Sequence, residues 1–469
     1  MPEALEAENP RRSAFRLLVR STDEAPPGSA SIEAGGSRWR VMDAGSVPSP
    51  ASAPKYVCVS YSWGKDQAPN PFDPEQSMSA RAMSALEAAI ATWRPAAIWL
   101  DAACMPRAGS ARILGLQSMG AIYAAARAVL AVLSSGASAV LDAVRRNEAI
   151  AISALKQLEE DEWISRAWTY QEIINSRKIG FVAEGQRDVP VRGVRLLNAV
   201  GHAIGNLRKA ERADAFQFRA RHPRLDALET LIEDWLQADH EQRSAYRVMA
   251  GVAGRTAREP EDLFYAMIGA ITTAPGVDRS EIDPAEYFMR VCERKGDFSF
   301  IYAQAPRDPS RAGGWRPAPG PLDPLIPWAS NGERQKGELH PEGLRLHDMA
   351  ALRTGSLAPA SLDFVRVWLQ KTTGITGPPS LQAAVRDTLK SAGFSGCGPC
   401  TETAEGFFFA QGLAPDYGDP MLFVARDISF NFGAPGLVAV RTAQDKLAVR
   451  DVGILVGPPP TSGATITLG

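Results

Sequence analysis

A tryptophan and a glutamate four residues apart are the side chains of this sequence best placed for chemistry. Segment 161–172 is predicted to be one amphipathic helix, and on a helix this spacing puts Trp168 and Glu172 on the same face. A carboxylate held against an indole ring is poorly solvated and fixed in position. Such a group can stabilise a positive charge that develops in a bound substrate. The alternative is a core tryptophan beside a solvated glutamate, and this helix by itself favours that alternative.

Two strand ends supply further polar and aromatic side chains. The apolar run 56–60 ends in Ser60-Tyr61-Ser62-Trp63-Gly64, and the apolar run 97–101 ends on Asp101. In open α/β sheets, ligands bind beyond the carboxyl ends of the strands. We therefore expect the loop Ser60–Gly64, Asp101 and the helix that carries Glu172 to meet at one edge of a sheet.

The elements that must position these residues alternate in type between residues 55 and 185. Apolar strands are predicted at 56–60, 97–101, 128–133 and 178–182, with helical patterns near 77–92, 112–127 and 142–176. Strands that are apolar throughout and separated by helices indicate an α/β fold with a parallel sheet covered on both faces. The first three strands are expected to be parallel neighbours.

The rest of the chain divides by composition. Residues 15–19 are predicted to be a short amphipathic or strand-like segment, and the Pro/Gly/Ser/Ala-rich stretch 26–54 to be loop. Residues 190–305 are predicted to be mainly helical, and 306–335 to be a linker or a wrapped loop. In the C-terminal part we expect helices near 360–372 and 379–392, followed by strands of a small sheet at 421–425, 436–441 and 447–456. The predicted organisation is an N-terminal extension (1–50), an α/β domain (51–190), a helical region (191–335) and an α+β domain of unknown role (336–469).

Charge and composition exclude several functional classes. The net charge of −2 gives no electrostatic case for binding nucleic acid or an anionic membrane surface. The nearest approach to a membrane-spanning run, 120–133, is interrupted by Arg127. The first ten residues contain Glu3, Glu6 and Glu8 where a signal peptide would need a basic and then apolar start. A cytoplasmic protein with reduced thiols is expected, since its five cysteines are odd in number and scattered.

Other motifs with known chemistry are weak in this sequence. Cys397-Gly398-Pro399-Cys400 has the spacing of a redox dithiol, but the residues before it read as helix and loop, whereas such a motif follows a buried strand and opens a helix. We therefore interpret the pair as structural or incidental. Neither a phosphate-binding glycine-rich loop nor an HExxH zinc motif occurs in the sequence, and no metal is expected.

Three segments together resemble the heterokaryon-incompatibility (HET) domain family. They are 60–64 (SYSWG), 99–104 (WLDAAC) with the following helix 119–126 (MGAIYAAA), and 163–172 (WISRAWTYQE); their order and spacing agree with the family pattern. Weaker resemblances follow at 255–269, 283–287 and 326–329. The sequence departs from the pattern at Arg107, where the family usually has glutamine, which puts the role of that loop in doubt.

HET domains are in turn similar to TIR domains, and the similarity lies in the same segments. Ser60-Tyr61 matches the first strand end, Asp101 the second, and Trp168 with Glu172 matches a motif in which the catalytic glutamate follows a tryptophan by four residues; Thr169 replaces the usual cysteine. The resemblance implies a TIR/flavodoxin-like parallel sheet. It also implies cleavage of the nicotinamide–ribose bond of NAD, in an effector of defence, self/non-self recognition or cell death.

The chemistry of that reaction suits a single carboxylate. Cleavage produces an oxocarbenium-like ribose, and nicotinamide leaves as a neutral molecule, so no strong general acid is needed. The resemblance implies that Glu172 is the catalytic residue and that NAD is the substrate, with no further cofactor. The residues expected to contact NAD are Ser60, Tyr61, Trp63, Gly64, Asp101, Arg166 and Trp168.

Several alternatives remain open at the level of sequence. Asp101 could be a helix cap or a buried hydrogen-bond acceptor. Trp63 and Gly64 could be loop scaffold, with Gly64 in a positive-φ turn. Arg166 could pair with pyrophosphate or support helix packing. For the whole chain, the alternative function is a non-catalytic TIR-like module that signals by self-assembly, with Glu172 structural; in either case a homo-oligomer or a partner protein is expected on activation.

Overall fold

A computed structural model describes most of the chain as two compact units. The described residues are 15–21, 31–45, 55–73, 75–186, 189–237, 243–277, 282–308, 314–327, 331–332, 334–414 and 416–469. The first unit comprises Met1–Lys209 and Thr256–Glu281, and the second comprises Ala210–Arg255 and Ile282–Gly469. The first unit contains every residue predicted to form the site.

The first unit is a mixed α/β structure. Its strands are β1 (Arg16–Arg20), β2 (Ser31–Ala34), β3 (Ser37–Asp43), β4 (Val57–Tyr61), β5 (Gln67–Pro69), β6 (Ser77–Ser79), β7 (Ala97–Trp99), β8 (Ala128–Leu133), β9 (Ile179–Ala183) and β10 (Val191–Arg192). Its helices are α1 (Arg81–Trp93), α2 (Asp101–Cys104), α3 (Gly109–Gln117), α4 (Met119–Ala125), α5 (Ser138–Arg146), α6 (Ile152–Glu159), α7 (Glu162–Ser165), α8 (Ala167–Ile174), α9 (Gly193–Ala210) and α13 (Glu261–Ile271).

Eight of these strands form one sheet in the order β10-β9-β8-β4-β7-β1-β3-β2. The central pairs β7–β4, β4–β8 and β8–β9 are parallel, which confirms the predicted parallel neighbours. The residues of β4 and β9 are buried throughout, as expected for strands covered on both faces.

The outer strands correct the expectation of a parallel sheet and of an N-terminal loop. Strands β1, β3 and β10 pair antiparallel with their neighbours, so the sheet is mixed. Residues 31–43, predicted to be loop, form the hairpin β2–β3, in which Trp39 is fully buried. The hairpin was not recognised in sequence because its strands are short and charged and therefore lack an apolar run. The glycines that suggested a loop, Gly35 and Gly36, form its tight turn. The remainder of the predicted loop, 26–30 and 46–54, lies outside the described residues.

The helix predicted over 161–172 is two helices. Arg166 has extended backbone angles (φ −77°, ψ 140°) and separates α7 from α8. Thr256 occupies the break, because its backbone N–H donates to Ser165 O over 2.6 Å and its carbonyl accepts from the N–H of Ala167 over 2.9 Å. This contact between segments ninety residues apart in sequence decides where the helix ends. The helix predicted over 112–127 is likewise divided, at Ser118.

Helices α4, α8 and α13 pack against one another, and two glycines permit the close approach. A Cβ atom on Gly120 would overlap the backbone oxygens of Gly269 and Thr272, and a Cβ on Gly269 would overlap the side-chain amide of Gln171. Asn175 Nδ2 donates to Gly269 O over 2.7 Å. These contacts hold α8, and therefore Glu172, in a fixed position beside the sheet.

The second unit combines helices with an eight-stranded sheet in which every pair of strands is antiparallel except β19–β20, which is parallel. Its helices are α10 (Ala215–Arg221), α11 (Pro223–Gln237), α12 (Ala245–Val252), α14 (Pro284–Arg294), α15 (Pro359–Thr373) and α16 (Leu381–Ser391). Its strands are β11 (Asn331–Gly332), β12 (Gly337–His340), β13 (Gly343–Ala351), β14 (Cys400–Thr403), β15 (Gly406–Ala410), β16 (Met421–Ala425), β17 (Ile428–Ser429), β18 (Gly433–Arg441), β19 (Leu447–Val456) and β20 (Ala464–Leu468).

This second sheet closes on itself. The strands β13, β16, β18 and β19 run in that order, and β20 pairs with both β13 and β19, which forms a barrel. The two predicted helices and the three predicted strands of the C-terminal part are present. The sheet is larger than the small one expected, because β12–β15 and β20 were not recognised in sequence. Of the weak family segment 326–329, residues 328 and 329 lie outside the described residues.

Among the described residues, no helix is both long enough and apolar enough to cross a bilayer.

Candidate functional site

Glu172 lies against the carboxyl end of the central strand β4. The Ser60 hydroxyl donates to Glu172 Oε2 over 2.5 Å, and Trp163 Nε1 donates to Ser60 Oγ over 2.9 Å. The hydroxyl of Tyr123, on α4, donates to Val59 O over 3.4 Å and lies close enough to the carboxyl group to favour its ionised form. Ser60 and Tyr123 thus approach the carboxyl group directly, and Trp163 is connected to it through Ser60.

The carboxyl group of Glu172 is buried, with only 8% of the residue exposed. Burial raises its pKa to about 7, because the ionised form loses solvation. The hydrogen bond from Ser60, the charge of Arg166 and the nearby hydroxyl of Tyr123 oppose that rise, whereas the negative charge of Asp101 adds to it. A carboxyl group that titrates near neutral pH can act as an acid, as a base or as a fixed negative charge at physiological pH.

Asp101 is held by the two aromatic residues that follow β4. Tyr61 Oη donates to Asp101 Oδ1 and Trp63 Nε1 donates to Asp101 Oδ2, each over 2.7 Å. Asp101 is the first residue of α2, and Leu100 occupies the cap position. Asp101 is thus a hydrogen-bond acceptor for both aromatic residues, and its Oδ1 also accepts the backbone N–H of Ala102 over 2.7 Å in the first turn of α2. The polar atoms of Tyr61 and Trp63 are directed to this carboxylate.

The loop after β4 is held by α1. Gly64 has a φ of +65°, so this position favours glycine. The guanidinium of Arg81 lies beside Gly64 and donates to the Ser62 hydroxyl, and it also approaches Glu184 Oε1 at 3.3 Å. The Ser79 hydroxyl donates to Trp63 O. The positive φ of Gly64 agrees with its interpretation as a scaffold residue in the turn of this loop.

Trp168 is directed to a different carboxylate from Glu172. Its side chain hydrogen-bonds to Asp262 on α13, and burial raises the pKa of Asp262 while this bond opposes the rise. Arg166 lies near enough to lower the pKa of Asp262, Tyr61 and Glu172 alike. Trp168, Arg166 and Asp262 are each partly exposed, and they form a cluster of an aromatic ring, a cation and an anion next to Glu172.

Four residues of this region were not predicted as site residues. Trp163 bonds to Ser60, Tyr123 lies close to Glu172, Arg81 holds the loop after β4, and Asp262 bonds to Trp168. Trp163, Tyr123 and Asp262 do lie in the segments that resemble the HET family, so the resemblance contained a signal for them. Arg81 lies outside those segments, and no sequence pattern marked it.

Two cavities in the described part of the chain have no predicted site residue in their walls. One of about 350 Å³ lies between the end of α5 and α9, with Asn147, Arg195 and His202 in its wall. The other, of about 510 Å³, lies in the second unit between α14 and β12. Glu172 is covered by its neighbours in this conformation.

The Cys397/Cys400 pair lies in the second unit. Cys400 is the first residue of β14, so the motif opens a strand, whereas a redox dithiol of this spacing opens a helix. Burial raises the pKa of the Cys400 thiol to about 11, which disfavours the reactive thiolate. Both observations agree with a structural or incidental role.

Comparison with known proteins relates the site to one family. Residues 56–172 match the family model described as heterokaryon incompatibility protein (HET), and this span begins at β4 and ends on Glu172. No curated protein and no solved structure gives a significant match.

Proposed function

We propose that this protein, whose residues 56–172 match the HET family model, is an NAD glycohydrolase that releases nicotinamide from NAD. Its role would be that of a NAD-consuming effector in defence, self/non-self recognition or cell-death signalling. Glu172 is the proposed catalytic residue. The observation that supports this most directly is the hydrogen bond from Ser60 to Glu172, which places a carboxyl group at the carboxyl end of the central parallel strand.

The topology around Glu172 supports a TIR-like interpretation of the domain. Counted along the chain, the four parallel strands β4, β7, β8 and β9 have the spatial order 2-1-3-4. Flavodoxin-like sheets share this order, and they bind ligands where the connections leave in opposite directions, between the first and third strands. Ser60 is on the first of these strands, β4, directly beside the third, β8.

The proposed reaction needs little from the protein besides binding and charge. The bond between the nicotinamide nitrogen and ribose C1′ breaks, its electron pair leaves with nicotinamide, and water supplies the hydroxyl of ADP-ribose together with one released proton. An ionised Glu172 would stabilise the oxocarbenium-like ribose and accept hydrogen bonds from its hydroxyl groups. The partly exposed ring of Trp168 and the guanidinium of Arg166 would face the rest of the dinucleotide.

The burial of Glu172 favours the second candidate, a TIR-like signalling module without catalysis. In that role the buried carboxyl group holds α8 on the sheet through its bond with Ser60. The two candidates differ in one requirement. Catalysis needs the residues that cover Glu172 to move when NAD binds or when the protein assembles, whereas the module needs no such opening.

The test is release of nicotinamide from NAD by the purified protein, alone and at concentrations that promote self-association. Glu172→Gln should lower the rate by about a hundredfold or more, the scale expected for loss of a principal electrostatic stabiliser. Glu162→Gln is the matched control, since Glu162 is in the same segment but its side chain is 44% exposed. A folded Glu172→Gln protein with the parent rate would exclude Glu172 as the catalytic residue. A parent protein that never cleaves NAD would support the module.

A further inference from the structure

Ser60 has one hydroxyl proton, and its neighbours determine where that proton goes. Trp163 Nε1 can only donate, so at 2.9 Å it occupies an acceptor position of Ser60 Oγ. The hydroxyl proton is then directed to Glu172 Oε2, 2.5 Å away. All three side chains are buried, with Trp163 2% and Ser60 1% exposed, so water does not compete for these bonds.

The indole of Trp163 is itself held in place. The backbone N–H of Trp163 donates to the side chain of Asp161 over 2.9 Å, and the same side chain accepts the backbone N–H of Ser134 over 2.7 Å. The ring of Phe181, on β9, meets the indole edge-on with centroids 5.6 Å apart. Neither contact involves Nε1. Among the described residues, Nε1 of Trp163 donates to Ser60 Oγ only.

We propose that Trp163 is a positioning residue that acts on Glu172 through Ser60, and that this relay fixes the carboxyl group and favours its ionised form. A donor that polarises a hydroxyl strengthens the bond that the hydroxyl donates onward. A hydroxyl that donates to a carboxylate stabilises the charged form. The positioning role rests on the proposed NAD cleavage, whereas the relay itself can be measured in a protein without activity.

Other groups also act on the charge of Glu172, and the relay must be separated from them. Those that face or adjoin it from the surrounding elements are Cys58 and Tyr61 on β4, Tyr123 on α4, Asp101 on α2, and Arg166 between α7 and α8. A substitution at Ser60 or Trp163 leaves each of these groups in the chain, so a packing control at a neighbouring residue separates loss of the relay from a change in the burial of Glu172.

The experiment is a carboxyl titration of the full chain by NMR, with ¹³C-labelled glutamate and the Glu172 signal assigned by its loss in Glu172→Gln. Ser60→Ala should raise the Glu172 titration midpoint by about one pH unit, the scale of one hydrogen bond to a charged group. Trp163→Phe should raise it by about half as much, because it weakens that bond without removing it. Phe181→Leu is the packing control; it loosens the same indole but should leave the midpoint unchanged.

A second measurement needs no change at Trp163. The ¹⁵N-indole signal of Trp163 should shift with the Glu172 midpoint in the parent protein and should cease to do so in Ser60→Ala. In an active protein, kcat/KM should fall at low pH as Glu172 becomes protonated, and the pH of this fall should rise together with the titration midpoint. The kcat/KM of Ser60→Ala at pH 7 should therefore be about fivefold lower than that of the parent. The relay would be overturned if Ser60→Ala had the same Glu172 midpoint as the parent protein. It would also be overturned if the Trp163 indole signal did not change when Glu172 titrates. Absence of NAD cleavage with an intact relay would overturn only the proposed function.

Discussion

Ser60 and Glu172 are 112 positions apart in the chain and share a buried hydrogen bond of 2.5 Å. Ser60 is the next-to-last residue of the central strand β4, and Glu172 lies on the helix that covers that strand end. The bond therefore connects the two parts of the domain from which a site would be built. The burial of this carboxyl group makes the stability of the protein depend on the charge of Glu172, and the bond from Ser60 reduces that dependence.

The first prediction is that ionisation of Glu172 destabilises the fold. Its pKa is raised from 4.5 to about 7 by burial, so between these values the unfolded chain releases the proton that the folded protein keeps. The stability contribution is fully present below pH 4.5 and is lost as the pH rises through about 7, by about 3 kcal/mol. Urea unfolding at pH 5 and pH 8 measures this. Glu172→Gln should become more stable relative to the parent as the pH rises, and a constant difference would contradict the prediction.

The second prediction concerns the close approach of α4 and α13. Gly120→Ala should destabilise the protein by about 3 kcal/mol or more, because the new Cβ would overlap the backbone oxygens of Gly269 and Thr272, which cannot rotate away. Gly201→Ala, within α9, is the matched control; a Cβ there meets no atom within 4 Å, so alanine should stabilise by about 0.5–1 kcal/mol. Thermal unfolding measures the Tm of both variants. Equal Tm values for the two would contradict the packing described for these helices.

The third prediction is that Asp101 supports the loop after β4. Asp101→Asn replaces one of two acceptor oxygens with an amide donor, which then faces Tyr61 Oη or Trp63 Nε1. The expected cost is about 1–3 kcal/mol, with a change in tryptophan fluorescence as Trp63 is released. Asp142→Asn is a suitable control because Asp142 is 40% exposed in its pair with Arg145, and its loss should cost no more than about 0.5 kcal/mol. If Asp101→Asn changed neither the stability nor the tryptophan fluorescence, the positions of Tyr61 and Trp63 would not depend on this carboxylate.

The fourth prediction is that the Cys397/Cys400 pair takes no part in the activity. Changing both residues to serine should leave nicotinamide release at the parent rate in a reducing assay, because the Cys400 thiol is held protonated by burial. Circular dichroism shows whether the double variant is folded. Loss of activity in a folded double variant would restore a redox role.

Much of the parallel core could be predicted from sequence because its signal is local. Strands β4, β7, β8 and β9 are short apolar runs, and runs of this kind between helical patterns indicate strands buried on both faces. The hairpin β2–β3 could not be recognised in this way. Its strands are half exposed and charged, and their burial depends on pairing with β1.

The candidate site was predictable only in part, for a related reason. Strand direction and helix order, which can be read from the order of apolar runs, predict that Glu172 and the end of β4 approach the same edge of the sheet. The hydrogen-bond partner of each side chain depends instead on how the segments pack. Trp168 shares a helix with Glu172 but bonds to Asp262, while Trp163, beyond the break at Arg166, reaches Ser60. Local periodicity predicts which face a residue is on, whereas hydrogen-bond partners depend on packing between segments distant in the chain, here the insertion of Thr256 at that break.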